Sequence, residues 1–238
     1  MSRNYFQFKQ FTVFQERATM KVCTDACILG AYAASLLKDL VLSRCLDMGT
    51  GTGLLSLMLA QESNIPIDSI DIDENAIKQA KENFASSPWS NRLSAFAGDI
   101  TTYTFPIKYD FIIGNPPFYE NDLASPDPSK NSAKHDSSLT FPGLLGSIHK
   151  NLSEKGCFIV LLPAHRVGMF TNLANQISFH LRKKLMIKHS MGNSYFRGIL
   201  LFSRDEGILI EEELIIRDEK NNYSSEFVEL LKKYYLHL

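Results

Sequence analysis

Residues 44–53 read Arg-Cys-Leu-Asp-Met-Gly-Thr-Gly-Thr-Gly, and this stretch decides the fold. Its first four residues read as a short strand. The three glycines read as a tight turn from strand into helix, where the backbone bends sharply and approaches a ligand closely. Residues 54–61 follow and are apolar nearly all round, as a buried helix is. Working outward, 67–71 reads as a second strand and 74–86 as a helix. Asp73 is placed to cap that helix, and Ile77, Ala80 and Phe84 fall on one of its faces. Residues 93–97 and 110–113 read as strands. Upstream, 25–37 has a helical pattern. Downstream come helix 143–151, strand 157–162, helix 167–180, strands 184–189, 198–202 and 214–217, and helix 226–235. Strands alternating with helices imply an α/β fold of parallel βαβ units in an open, doubly wound sheet.

The 238 residues are 45% hydrophobic and 21% charged, which excludes disorder. No run of about 18 apolar residues exists, so no membrane-spanning helix is expected. The first ten residues lack an apolar signal-peptide core, and the cytoplasm is the expected compartment. Four cysteines (Cys23, Cys27, Cys45, Cys157) do not form two paired clusters, so free thiols and no metal site are expected. The net charge of −1 does not announce a nucleic-acid partner. The charge is uneven, however. Residues 1–21 carry four cations against one acid, and 205–238 carry nine acids against four cations. The basic arm is also aromatic, with Tyr5, Phe6, Phe8, Phe11 and Phe14. Such interleaving suits a nucleic-acid strand. Packing of the Phe rings in a hairpin or flap is the plainer reading, leaving Lys9, Arg17 and Lys21 for phosphates.

Carboxylates end three consecutive strands or the turns after them: Asp47, Asp71 and Asp99. Asp71 lies 24 residues after Asp47, near the distance at which such folds place an acid on a ribose diol. Ile72 follows it as an apolar face for a planar ring, and Ile100 follows Asp99. The order Asp-x-Gly-x-Gly-x-Gly lacks the Lys-[Ser/Thr] of a phosphate-binding loop. An acidic turn of this kind suits a cationic or diol-rich ligand better than a triphosphate.

After the fourth strand stands Asn115-Pro116-Pro117-Phe118. Two prolines fix the backbone and leave carbonyls free to accept. The Asn115 amide oxygen and the Pro116 carbonyl suit an –NH₂ group, and the Phe118 ring suits a planar base.

Together, 47–53, Asp71, Asp99 and 115–118 resemble the class I S-adenosylmethionine-dependent methyltransferases. That resemblance implies a Rossmann-like, mostly parallel seven-stranded sheet with helices on both faces. The segments 8–11, 20–25, 29–31, 82–83, 87–89 and 223–224 are similar to the bacterial tRNA adenine-N6 methyltransferases that modify adenine 37 of a valine tRNA, and the match covers nearly the whole chain. The implied division is an arm and cap helix over 1–40 and a methyltransferase domain over 41–238. Gly49, Gly51 and Gly53 would approach the methionine part of the cofactor, with Asp47 near its amino group. Asp71 would hold the ribose hydroxyls, and Asp99 would meet the adenine amino group, with Ile72 or Ile100 against the ring. Thr24 and Asp25 would close over it. Two departures stand out: Cys23 and Cys27 occupy positions where the family has Gly, and Phe118 replaces a Tyr.

The implied reaction is in-line methyl transfer to adenine N6 in tRNA by a monomer. Asn115 and Pro116 would accept the two N–H bonds, with no general base, and the base would leave its stack to reach the cleft. Residues 119–138 read as a loop, in which Lys130, Lys134 and His135 are candidates for phosphate contacts. Arg182, Lys183, Lys184 and Lys188 form a further basic cluster. Three alternatives stay open: a guanine-N2 rRNA methyltransferase, a protein-glutamine N-methyltransferase, and a non-catalytic RNA-binding scaffold.

Overall fold

Alternation along the strands sorts the chain into a sheet with two apolar faces. The structure, a computed structural model, describes residues 4–18, 20–115 and 139–238. A small antiparallel hairpin, β1 (Tyr5–Gln7) and β2 (Thr12–Phe14), precedes helix α1 (Thr24–Leu36). Then come β3 (Cys45–Met48), α2 (Leu54–Glu62), β4 (Ile67–Asp71), α3 (Glu74–Ala85), β5 (Leu93–Ala97) and β6 (Tyr109–Gly114). The second half supplies α4 (Phe141–Asn151), β7 (Leu152–Pro163), α5 (Val167–Gln176), β8 (His180–Lys188), β9 (Arg197–Ser203), β10 (Ile210–Ile215) and α6 (Ser225–Leu231).

The main sheet runs β10-β8-β9-β7-β6-β3-β4-β5. All neighbours are parallel except β9, which is antiparallel to both β7 and β8. Because side chains alternate across a strand, Phe111 and Ile113 face one core while Ile112 faces the other. Helices α1, α2, α3 and α6 cover the first face, and α4 and α5 cover the second. Ala26–Leu29, Ala31–Ala34 and Leu36 of α1 pack into the same core as the sheet. The chain steps from β3 outward through β4 to β5, then returns to place β6 on the other side of β3. Ligands of open α/β sheets bind outside the carboxyl ends of the strands at such a reversal.

Two expectations need correction. The sheet has eight strands rather than seven. The eighth is the edge strand β10, expected over 214–217, which begins earlier, at Ile210. Its Glu211, Glu212 and Glu213 belong to the acidic surplus of 205–238. They extend the strand because they pair with Lys184, Tyr32 and Lys188 respectively. The helix expected over 167–180 stops at Gln176. Ser178 takes φ 61°, and this reversal buries Phe179 completely before β8 begins. Within the basic cluster on β8, Lys184 and Lys188 are therefore paired with acids. Arg182 also donates to the carbonyls of Asp205 and Glu206 at 2.9 and 3.2 Å.

The aromatic arm is mostly packing. Phe8 and Phe11 are buried and stacked, with centroids 4.5 Å apart, and Phe11 meets Trp89 edge-on. Among the described residues no helix is long and apolar enough to cross a membrane.

Candidate active site

The glycine turn after β3 carries φ values of 73°, 54° and 83° at Gly49, Gly51 and Gly53. Two of these explain the sequence directly. Gly53 sits against the Phe84 ring of α3, leaving no room for a Cβ, and it opens α2 from a left-handed conformation. Gly51 has open space beside it, so what requires glycine there is the backbone angle alone. Its N–H donates to Asp71 Oδ2 at 2.8 Å, tying the turn to the end of β4.

Asp71 accepts a second bond at Oδ1 from the Asp73 N–H, 3.0 Å away. A carboxylate has about four acceptor sites, so capacity for a ligand's hydroxyls is left. Asp73 caps α3 by accepting from the Asn75 N–H at 2.8 Å. Asp99 folds its Oδ1 back onto the N–H and hydroxyl of Thr101, at 2.8 and 2.7 Å.

These strand ends enclose a cavity of about 620 Å³, within the usual size range for small-molecule sites. Its walls include Gly49, Gly51, Asp71, Ile72, Asp99, Ile100 and Asn115, which the structure brings together. Ile72 is 65% exposed, an apolar side chain held in the open beside two acids, while Ile100 is buried. The arm contributes Ala18, Met20, Lys21, Val22 and Cys23, so Lys21 borders the cavity. Lys9 and Arg17 do not line it. Lys9 Nζ donates to the Lys232 carbonyl at 2.6 Å, and Arg17 pairs with Glu82 at 3.3 Å.

Asp47 and Gly53 lie behind the wall rather than on it. Asp47 is completely buried, and its Oδ2 accepts from the hydroxyls of Thr50 and Ser56, both at 2.7 Å. Its Oδ1 is buried with no partner among the described residues. Burial pushes the Asp47 carboxyl up to about 6, against the two hydroxyl bonds that hold it down. At the mouth, Asp25 accepts from Arg197 Nε at 2.9 Å. Burial alone would raise Asp25, but bonds from Cys23 and Arg197 outweigh it and lower it. Cys23 and Ala26 reach the wall, where Thr24 and Asp25 do not. All four cysteines are free. Pro116, Pro117, Phe118, Lys130, Lys134 and His135 lie outside the described residues.

Sequence reasoning missed the amides that hold the arm in place. Gln79 Oε1 accepts from the Arg17 N–H at 3.2 Å, Gln15 Oε1 from the Val22 N–H at 2.9 Å, and Asn83 bonds to both Phe14 and Thr52. Buried Gln and Asn on the apolar side of α3 were the available signal.

The donor set fits S-adenosylmethionine: unsatisfied carboxylate capacity for a diol and an amino group, an exposed apolar face, and a glycine turn without the Lys-[Ser/Thr] of a phosphate-binding loop.

A family model described as the Methyltransferase small domain matches residues 31–130. The tRNA1(Val) (adenine(37)-N6)-methyltransferase of Dyadobacter fermentans is 41% identical over 99% of both chains. That of Bacteroides thetaiotaomicron is 38% identical over the full length of both. Among solved structures, a predicted O-methyltransferase from Agrobacterium tumefaciens superposes with a TM-score of 0.67 at 14% identity, covering 87% of this chain and 95% of that one. The solved structure attests the fold, and the two full-length relatives attest the descent: the chain belongs to the tRNA1(Val) (adenine(37)-N6)-methyltransferase family.

Proposed function

We propose that the protein methylates N6 of adenine 37 in tRNA1(Val), working as a cytoplasmic monomer. The observation that carries the reading is Asn115. It directly follows β6 on the wall of the same cavity that Asp71, Ile72 and Asp99 line, within a chain that matches its relatives end to end.

When bound, S-adenosylmethionine supplies an electrophilic methyl group on sulfur. The chain's own residues orient and hold. Gly51 and Asp71, bonded to each other, would hold the cofactor's methionine part and ribose hydroxyls. Ile72 would supply an apolar face for its adenine, and Asp99 would offer its second oxygen to the ring's amino group. Asp47 stays behind the turn and fixes it through Thr50 and Ser56 rather than touching ligand. On the substrate side, Asn115 Oδ1 accepts an N–H of the target amino group. This turns the nitrogen lone pair toward the methyl and stabilises the positive charge that develops on nitrogen. Holding both reactants in line removes part of the barrier as entropy already spent on binding. Pro116 as second acceptor and Phe118 as stacking ring follow from the sequence motif alone.

Asn115→Ala tests this. Single-turnover methyl transfer should fall by at least about 100-fold, the scale of losing one preorganised polar group at a developing charge, while cofactor affinity stays near wild type. Wild-type transfer by the variant contradicts the role.

A further inference from the structure

The start of α1 presents two residues to the cofactor cavity, Cys23 and Ala26. Cys23 occupies the cap position and makes no capping bond. The helix start therefore lacks the side-chain acceptor that usually satisfies its first N–H groups. Asp25, between the two wall residues, holds them instead. Its Oδ1 accepts the Ala26 N–H at 3.2 Å, and the Cys23 thiol donates to the same carboxylate. Both wall residues are thus bonded to one side chain that does not itself line the cavity. The other oxygen, Oδ2, accepts from Arg197 Nε at 2.9 Å. The Asp25 and Arg197 side chains are 17% and 36% exposed, so the pair is shielded from much of the solvent.

Arg197 is fixed by the sheet. It opens β9, an interior strand, and pairs with Pro163 of β7 on one side and Ile187 of β8 on the other. Its guanidinium also donates from an Nη to the Phe196 carbonyl at 3.2 Å and lies 5.6 Å from the centroid of the Phe196 ring. A planar guanidinium held at these points has a set direction. The position of β9 is thereby carried to the first turn of α1. The arm that precedes this turn is held at its far end by the amides of Gln79 and Asn83.

We propose that Arg197 is a positioning residue for S-adenosylmethionine, acting through Asp25 to set the stretch of cavity wall that Cys23 and Ala26 form. The inference rests on the methyltransferase reading above and adds to it a pair of side chains that act without touching the cofactor. A ligand that meets a preformed wall does not have to order it. Loss of the pair therefore shows as weaker cofactor binding, with transfer unchanged once cofactor is bound.

The test uses the full chain. Arg197→Ala and Asp25→Ala should each raise the S-adenosylmethionine Kd, measured by calorimetry without RNA, about threefold to tenfold, the loss of a half-buried ion pair read as affinity. The double variant should bind no more weakly than the worse single variant, because each breaks the same connection. At saturating cofactor, kcat and the KM for an unmodified tRNA1(Val) transcript should keep their wild-type values. Arg197→Lys keeps a cation within reach of Asp25 and should restore most of the affinity. Arg44→Ala breaks a pair of similar exposure, 46% and 14%, with Asp68 at the opposite edge of the sheet, and should leave Kd unchanged. Unchanged Kd in both single variants, with or without a fall in Tm, overturns the positioning role and leaves the reaction standing. Additive losses in the double variant, an equal loss in Arg44→Ala, or no rescue by Arg197→Lys do the same. Wild-type chain that binds the cofactor but methylates no tRNA overturns the reaction instead.

Discussion

The Asn83 side chain pairs with both backbone groups of Phe14, accepting its N–H at Oδ1 and donating from Nδ2 to its carbonyl, each at 2.9 Å. The same Nδ2 donates to the Thr52 carbonyl at 2.8 Å. One buried amide on α3 thereby joins the N-terminal hairpin to the glycine turn. Ala18, Met20, Lys21, Val22 and Cys23, between that hairpin and α1, line one wall of the cavity.

Loss of this amide should loosen both walls together. Asn83→Ala leaves buried backbone groups unpaired, a cost of about 1–3 kcal/mol, which for a chain of this size lowers Tm by roughly 2–10 °C. Cofactor Kd, measured by calorimetry, is expected to rise about tenfold, equivalent to roughly 1.4 kcal/mol. Asn83→Asp keeps the acceptor and loses both donations, so it should behave like the Ala variant. Unchanged cofactor affinity in both would show that the hairpin does not support the wall.

Gly53 joins a left-handed backbone to contact with Phe84. Gly53→Ala should therefore cost about 2–4 kcal/mol, the left-handed penalty of about 1–2 kcal/mol plus displacement of the ring. Phe84→Leu shortens the neighbour, so the double variant should lose less than the two single variants added together, as coupled neighbours do. Urea denaturation of the four proteins measures the coupling. Strict additivity would assign the whole cost to the backbone.

Asp47 gives a pH signature. Its folded value, about 6, lies above the ordinary 3.8 because burial disfavours the charge. The folded state then holds a proton that the unfolded chain has released. Stability from this group is full below about pH 4 and is lost as pH rises to about 6, by roughly 3 kcal/mol in all. Asp47→Asn removes the titration. Its Tm profile across pH 4–7 should be flatter than that of the wild type, whereas parallel profiles would contradict the assignment.

Much of this was legible in residue order, and the reasons differ by element. The turn after β3 was readable because positive φ at consecutive positions demands glycine, and the acids at strand ends because β4 and β5 have clean boundaries. Lys9 and Arg17 are basic and exposed, and only the fold brings the Lys232 carbonyl and Glu82 to them. Asp47 carries the motif's acid, yet its Thr50 and Ser56 bonds turn it inward, which spacing cannot reveal.

The most direct measurement is the identity of the product. The protein is incubated with S-adenosylmethionine and unmodified tRNA1(Val), and the RNA is digested and its nucleosides are identified by mass. The account predicts N6-methyladenosine, mapping to position 37 and absent with Asn115→Ala. N2-methylguanosine in its place, or no methylated nucleoside at all, contradicts it.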